Sequence, residues 1–300
     1  MDCPVYCQTG VSLAAFTTYK IGGPADFLLQ PRDDAEFAAA VRWCRAAGLP
    51  LTVLGGGSNV LIADAGIAGA VILTDQMRRL EAAPDGIDAG AGAVMDAVCL
   101  LAARHGLAGL ENFYGMPGTL GGAIYMNARC YERAISEALV HIRVVDGTGC
   151  PAQLAASDGG FAYKTSRFQG RPEWITSARL GLAPGAEPAR LLERMEEFRL
   201  KRLAKGQYAF PNAGCVFKND PRAGVVAGRV IEACGLKGFR VGEAEVFQQH
   251  ANFVVNLGRA TAADVAAVLR HIQRVVRDRT GIQLEREVQL LGRWDPDSAF

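Results

Sequence analysis

Leu51-Thr52-Val53-Leu54-Gly55-Gly56-Gly57-Ser58-Asn59 runs from an apolar strand straight into three glycines and two small polar residues. Glycine lets the backbone turn tightly and face several N–H groups toward one point, and Ser58 and Asn59 add side-chain donors. Residues 55–59 therefore have the makings of a nest for phosphate oxygens. They are not a Walker loop, because no Gly-Lys-Ser/Thr follows, and the G-x-G-x-x-G that opens a long helix in a dinucleotide fold is missing. A tight turn between two strands explains the same residues without a ligand, so from this stretch alone both readings stand.

Working outward, strands and helices interleave. Asp33 and Asp34 predict the cap of a helix over 35–47 that closes at Gly48. Residues 60–62 and 70–73 predict strands, 86–92 a small-residue strand or turn, and 93–105 an apolar-periodic helix closed by Gly106. Residues 140–145 and 151–154, joined by Asp146-Gly147-Thr148-Gly149, predict a hairpin, and 174–182 a further strand. Two prolines and a glycine in 183–188 mark a linker to a charged helix over 189–205. Beyond it come a helix over 225–234, a strand over 253–256, a helix over 261–279 and a strand over 284–291. The pattern is one of mixed strands and helices, with a boundary near residue 185.

Composition narrows the function classes. Three hundred residues suffice for two or three compact units, and 50% hydrophobic against 21% charged residues leaves no case for disorder. Lys+Arg 32 against Asp+Glu 31 gives a net charge of +1, which argues against capture of nucleic acid or an anionic membrane. None of the eight cysteines is in CxxC spacing and there are four histidines, so no zinc site is expected. Met1-Asp2-Cys3-Pro4-Val5-Tyr6-Cys7 lacks the basic and apolar regions of a signal peptide, and no 18-residue apolar run occurs. A cytoplasmic protein with reduced thiols and no membrane segment is expected.

Glycine, at 35 residues, exceeds the usual ~7%. Part of the excess lies in Gly115-Met116-Pro117-Gly118-Thr119-Leu120-Gly121-Gly122-Ala123-Ile124-Tyr125-Met126-Asn127-Ala128, a second loop of unusual backbone. Two such loops suggest a long phosphate-bearing ligand laid along backbone; a structural crossover is the plainer reading. Tyr163-Lys164-Thr165-Ser166-Arg167-Phe168 sets cations and hydroxyls among aromatics. Cys215, in Ala213-Gly214-Cys215-Val216-Phe217-Lys218-Asn219, is either a packing thiol or a proton donor. As a strand, 284–288 puts Glu285 and Glu287 on one face. His250 enters an apolar strand and reads as structural.

Taken together, these segments resemble the UDP-N-acetylenolpyruvoylglucosamine reductase family, flavoenzymes of peptidoglycan precursor synthesis. The resemblance runs from Thr17-Thr18-Tyr19-Lys20-Ile21-Gly22-Gly23 to Glu287-Val288, and the lack of a long central insertion is similar to the family's shorter, type II branch. It implies an α+β fold: an FAD-binding module of the vanillyl-alcohol-oxidase (PCMH-like) type over 1–185, made of two α/β subdomains split near residue 75. A C-terminal α+β substrate-binding domain over 186–300 follows. It further implies that Gly55, Gly56, Gly57, Ser58 and Asn59 hold the FAD pyrophosphate, and that Gly115, Pro117, Gly118, Thr119, Gly121, Gly122, Ala123 and Asn127 line the flavin.

The implied reaction passes a hydride from NADPH through FAD to the enolpyruvyl double bond of UDP-N-acetylglucosamine enolpyruvate. The family's proton donor is a serine in Ala-Gly-Ser; here that position is Cys215, whose thiol (pKa ~8.5 unperturbed) is a stronger acid than a hydroxyl. Glu287 matches the family's glutamate before valine. Lys164 stands where an arginine after tyrosine is expected; lysine keeps the charge but loses the planar fork, and Arg167 is placed to compensate. Tyr163, Arg202, Lys205, Lys218 and Asn219 fall at substrate positions, Asn219 near the UDP moiety and Arg202 or Lys205 at its phosphates. Two family patterns are altered: Lys-Gln-Pro appears as Lys205-Gly206-Gln207, and Phe247-Gln248-Gln249 precedes His250 where Ser-Glu-Lys is usual. The departures leave open an FAD-binding paralogue with another substrate or weak activity; a non-catalytic nucleotide-binding protein is disfavoured by Glu287 and the intact glycine loops. A monomer is expected, with no metal and no nucleic-acid partner.

Overall fold

A computed structural model describes residue 4 and residues 6–295. The chain is α+β and forms two compact units. The first comprises the chain to Thr9, then Phe27–Gly56 and Gly69–Lys201; the second comprises Gly10–Asp26, Gly57–Ala68 and the chain from Arg202 onward.

Most of two sheets lies in the first unit. One has the strand order Cys7–Ser12, Pro24–Leu29, Ile67–Leu73, Leu51–Leu54, the last two parallel in register Leu51↔Ala70 to Leu54↔Leu73. Helix α1 (Asp34–Ala46) covers it. The Asp33 carboxylate accepts the Glu36 N–H at 2.9 Å and so caps the helix, while Phe37, Ala38, Ala40, Val41, Trp43 and Cys44 supply its buried face. That face packs on Leu29, Ala70 and Ile72. A fully buried leucine or isoleucine side chain such as Leu29 or Ile72 contributes about 2 kcal/mol of transfer free energy.

The other sheet is antiparallel, in the order Pro151–Ala155, Leu139–Asp146, Glu173–Gly181, Gly86–Gly90, Leu80–Ala83. The predicted hairpin is there, with Val145 opposite Pro151. Helices α2 (Met95–Arg104) and α3 (Leu120–Tyr125) share its core through Met95, Val98, Leu120 and Ile124. Helix α2 starts two residues later than predicted. Its two missing residues are used elsewhere: the Ala93 carbonyl accepts the Leu120 N–H at 2.9 Å, and Val94 bridges Thr119. The helix start is thereby tied to the second glycine loop. Helix α4 (Pro188–Ala204) follows the linker.

In the second unit, antiparallel strands run in the order Asn212–Cys215, Phe253–Asn256, Ala244–Val246, Arg240–Val241. Helix α5 (Ala227–Ala233) and helix α6 (Ala262–Thr280) close the core. On α6, Ala262, Val265, Ala266, Val268, Leu269, Ile272 and Val276 are buried, an i, i+3, i+4 stripe. Thr261 and Asp264 form a capping box, and Gly281 ends the helix at φ 74°. The Asp64 carboxylate also accepts the N–H groups of Ala262 and Ala263, at 2.9 and 3.0 Å. Val60–Ile62 pairs in parallel with Gln289–Leu291.

Three expectations are corrected. The strand over 284–291 is confined to Gln289–Leu291, because residues 285–287 instead pair irregularly with 216–218. Glu285 and Glu287 therefore do not share surroundings: Glu285 is exposed, and Glu287 is 9% exposed. His250 lies in a turn before its strand, where its N–H donates to the Phe247 carbonyl and its carbonyl accepts the Phe253 N–H. Reduced thiols are found at Cys44, Cys99, Cys130, Cys150, Cys215 and Cys234, but Cys7 is disulfide-bonded.

Candidate functional site

In the first unit, Gly55 and Gly56 lie against the second glycine loop. A Cβ on Gly56 would stand 2.9 Å from the Gly118 Cα, and one on Gly55 2.7 Å from the Thr119 hydroxyl. Close loop-to-loop approach therefore explains these two glycines. Thr119 stands at the N-cap of α3 but makes no cap bond, and its Oγ1 is buried without a partner. Nor do the N–H groups of Gly56, Gly57 and Ser58 find an acceptor among the described residues. Buried hydroxyls and loop N–H groups are seldom left unpaired, so the Thr119 hydroxyl and the Gly56 N–H fit an anionic, oxygen-rich group such as a dinucleotide.

The remaining residues of the second loop bind it to the Tyr163–Phe168 segment. Asn127, buried and at φ 41°, donates from Nδ2 to the Ala162 carbonyl at 2.8 Å and accepts the Ser136 N–H at Oδ1. The Ser166 hydroxyl and the Gln169 amide both donate to the Tyr125 carbonyl. Gly115 N–H donates to Asp96, while Pro117 is exposed and Ala123 is buried. Ala162 and Thr165 bridge, with Tyr163 and Lys164 at the turn between them. Lys164 takes φ 58°, a left-handed conformation that disfavours a side chain, and the Gln169 amide donates to its carbonyl. Tyr163 is exposed. Arg167 is committed elsewhere: Nε and Nη2 donate to the Glu173 carboxylate at 3.0 and 2.9 Å, and Nη1 to the Asp158 carbonyl. Its fork is filled, so the geometry gives no support to Arg167 as a substitute for the expected arginine.

In the second unit, the Cys215 strand is held in place by Asn252. The Asn252 carbonyl accepts the Val216 N–H, its Oδ1 accepts the Phe217 N–H, and its Nδ2 donates to the Phe217 carbonyl at 2.8 Å. Cys215 is half-buried, opposite Phe253 and packed against Phe247, Phe253 and Val255. One residue on, the Val216 carbonyl accepts the Glu287 N–H at 2.8 Å, which brings the Glu287 backbone beside the cysteine segment. Lys218 pairs with Glu285 at 2.6 Å. Asn219 accepts the Ala227 N–H at Oδ1, so half of its amide serves the start of α5. Arg202 is buried and Lys205 exposed. The His250 ring packs on Phe253 with centroids 4.3 Å apart and planes tilted by 30°, its Nδ1 buried and unpartnered; burial first, then the Lys205 charge, holds its pKa below the usual histidine range.

Sequence reading missed one residue and one contact here. Asn252 lies in His250-Ala251-Asn252-Phe253, where an asparagine at a strand entry is the only local signal. The Asn59 amide reaches the Glu287 carbonyl at 3.0 Å, a contact over 228 positions with no local signal at all. Among the described residues, no group of three or more His, Cys, Asp or Glu is placed to hold a metal ion, and no helix is long and apolar enough to cross a membrane.

Comparison with known proteins covers both units. Residues 25–153 match the family model "FAD binding domain", and residues 206–291 match "UDP-N-acetylenolpyruvoylglucosamine reductase, C-terminal domain". A UDP-N-acetylenolpyruvoylglucosamine reductase of Synechococcus sp. (strain JA-3-3Ab) is 40% identical over 289 residues, 96% of this chain and 92% of the relative. The protein of the same name from Gloeobacter violaceus is 43% identical over 288 residues, 95% and 96% of the two chains. The crystal structure of UDP-N-acetylenolpyruvylglucosamine reductase from Thermus caldophilus superposes with a TM-score of 0.79 at 36% identity, covering 94% of this chain and 97% of that one. With relatives this similar along almost its whole length, the chain belongs to the UDP-N-acetylenolpyruvoylglucosamine reductase family.

Proposed function

We infer that this chain reduces UDP-N-acetylglucosamine enolpyruvate to UDP-N-acetylmuramate, an FAD-dependent step of peptidoglycan precursor synthesis with NADPH as reductant. The chemistry supplied by bound FAD is hydride relay from NADPH to the enolpyruvyl double bond. The residues present fit that cofactor: the orphaned Thr119 hydroxyl and the unpaired N–H groups of Gly56, Gly57 and Ser58 are donors awaiting acceptors. Gly115, Pro117, Gly118, Gly121, Gly122, Ala123 and Asn127 form the remaining flavin-side loop in this reading, with Asn127 holding the loop to the Lys164 turn.

Hydride addition leaves negative charge on the carbon next to the carboxylate, and the protein must stabilise that charge and supply one proton. Cys215 Sγ–H donates the proton. The Lys164 ammonium stabilises the enolate and its carboxylate by charge, with the strained Lys164 backbone fixing where that charge is presented, and Glu287 stabilises them by donating a hydrogen bond from its carboxylic acid form. Tyr163, Arg202, Lys205 and the remaining amide group of Asn219 bind the nucleotide part; Lys218 acts there only if it exchanges its Glu285 partner. The observation that carries the assignment is the bond from Glu287 N–H to the carbonyl of Val216, which puts the glutamate backbone in register with the proposed donor.

The test is Cys215→Ala in the FAD-loaded enzyme. Flavin reoxidation by the enolpyruvyl substrate is expected to slow about a hundredfold or more, while flavin reduction by NADPH persists. Equal damage to both half-reactions would remove Cys215 from the donor role. The reading includes a cytoplasmic monomer, which light scattering checks as the mass of one chain.

A further inference from the structure

Asn59 closes the first glycine loop, and one hydrogen of its amide is spent inside the protein. Nδ2 donates to the Glu287 carbonyl at 3.0 Å. The Asn59 carbonyl accepts the Gln289 N–H at 2.9 Å, and the pairing continues as Val60↔Gln289, Leu61↔Leu290 and Ile62↔Leu291. On the other side of Glu287, its N–H donates to the Val216 carbonyl at 2.8 Å, one residue beyond Cys215. Both peptide groups flanking the Glu287 Cα are thus fixed. The first is held by the segment that carries the proposed proton donor; the second has its carbonyl held by Asn59 at 3.0 Å and by the Gln289 amide at 3.2 Å, and its N–H, of Val288, donates to the Val216 carbonyl at 3.4 Å.

Fixing both peptides sets the direction of the Cα–Cβ bond, from which the carboxylate hangs on a short chain of rotamers. Glu287 is nearly buried, so its carboxylate has little room to recover a lost direction. An asparagine is well suited here. Its amide donates to the carbonyl, its side chain has two rotatable bonds, and it brings no charge beside the glutamate. Alanine would leave the carbonyl only the Gln289 amide, which donates to it at 3.2 Å, and aspartate would face it with a second acceptor.

We propose that Asn59 is a positioning residue of the reduction, which aims the Glu287 carboxylate by holding its backbone in register with Cys215. The proposal rests on the role given above to Glu287. It departs from a purely phosphate-binding role for Asn59, since the bonded hydrogen is not available to a cofactor.

The experiment is a double-mutant cycle in the FAD-loaded enzyme with Asn59→Ala, Glu287→Gln and both together, read by stopped-flow flavin absorbance. Asn59→Ala is expected to slow flavin reoxidation by UDP-N-acetylglucosamine enolpyruvate by roughly ten- to a hundredfold, the scale of a misplaced catalytic group. Flavin content stays at one per chain, and reduction by NADPH changes by less than about threefold. On the Glu287→Gln background, the same substitution adds less than about twofold. Asn59→Asp, which preserves shape, behaves like Asn59→Ala and carries the test if the alanine variant does not fold. Loss of flavin from either variant, with reoxidation restored by excess FAD, would overturn the proposal in favour of cofactor binding. Fully multiplicative losses in the double mutant would overturn it too, because Asn59 would then act independently of Glu287. If Glu287→Gln alone leaves reoxidation unchanged, the role of Glu287 is what fails, and positioning by Asn59 falls with it.

Discussion

Replacing Thr119 by valine separates what the apoprotein needs from what the cofactor needs. Thr119 is 6% exposed and its hydroxyl has no partner. A buried hydroxyl left unpaired costs about 1–3 kcal/mol. Valine keeps the branched shape and tolerates the extended backbone at φ −115°, ψ 162°. The usual penalty for losing an N-cap, about 1 kcal/mol, does not arise, because Thr119 makes no cap bond. Thr119→Val is therefore expected to raise the unfolding free energy of the apoprotein by about 1 kcal/mol, read as a higher urea midpoint at unchanged slope. The same change removes a donor from FAD, worth about 0.5–1.5 kcal/mol. At 1.4 kcal/mol per tenfold, flavin-fluorescence titration should show Kd rising about two- to twelvefold. The two effects have opposite signs, which a general loss of structure cannot imitate. A less stable apoprotein refutes the unpaired hydroxyl, and an unchanged or tighter Kd refutes its assignment to the cofactor.

Three further outcomes are expected. Lys164→Arg should preserve or raise the rate of flavin reoxidation by the enolpyruvyl substrate, since it restores a bidentate cation; a large loss would indicate a site built around lysine. His250 is held below its usual pKa by burial and then by Lys205, so the unfolded chain binds more protons than the native one below pH ~6.5. Native stability should therefore fall as pH drops below that value, and His250→Gln should flatten the fall in urea midpoints between pH 7.5 and 5; identical slopes would contradict it. Asp64→Ala should cost about 1 kcal/mol of stability through the N–H groups of Ala262 and Ala263, checked by urea unfolding; no loss would show that the Thr261–Asp264 box caps the helix alone.

Local chemistry was the legible part of this sequence. Helix α6 announces itself by its apolar stripe, by Thr261 and by Gly281, and the 139–155 hairpin by its Asp-Gly turn, because caps and turns are decided within a few residues. The glycine loops were legible as loops. That Gly56 faces Gly118 was not, since 62 positions separate them and nothing in either stretch specifies the other. Alternation suggested one face for Glu285 and Glu287; the pairing of 285–287 with 216–218 broke that period and gave one carboxylate to Lys218 and the other to burial. Arg167 looked like a spare cation until Glu173, six residues on, filled its fork. In each case the missing information was a partner rather than a propensity.

Val60–Ile62 is made early and completed late. Its parallel partner, Gln289–Leu291, and the Glu287 carbonyl that Asn59 holds 228 positions away are synthesised long after it. At about 5–20 residues per second, that interval is roughly 11–46 s. Throughout it, Leu61 and Ile62, fully buried in the finished protein, have no strand beside them. The second unit thus gathers its first pieces long before it can close, and a nascent chain stalled short of residue 289 carries an open apolar edge of the kind that chaperones cover and other chains add to.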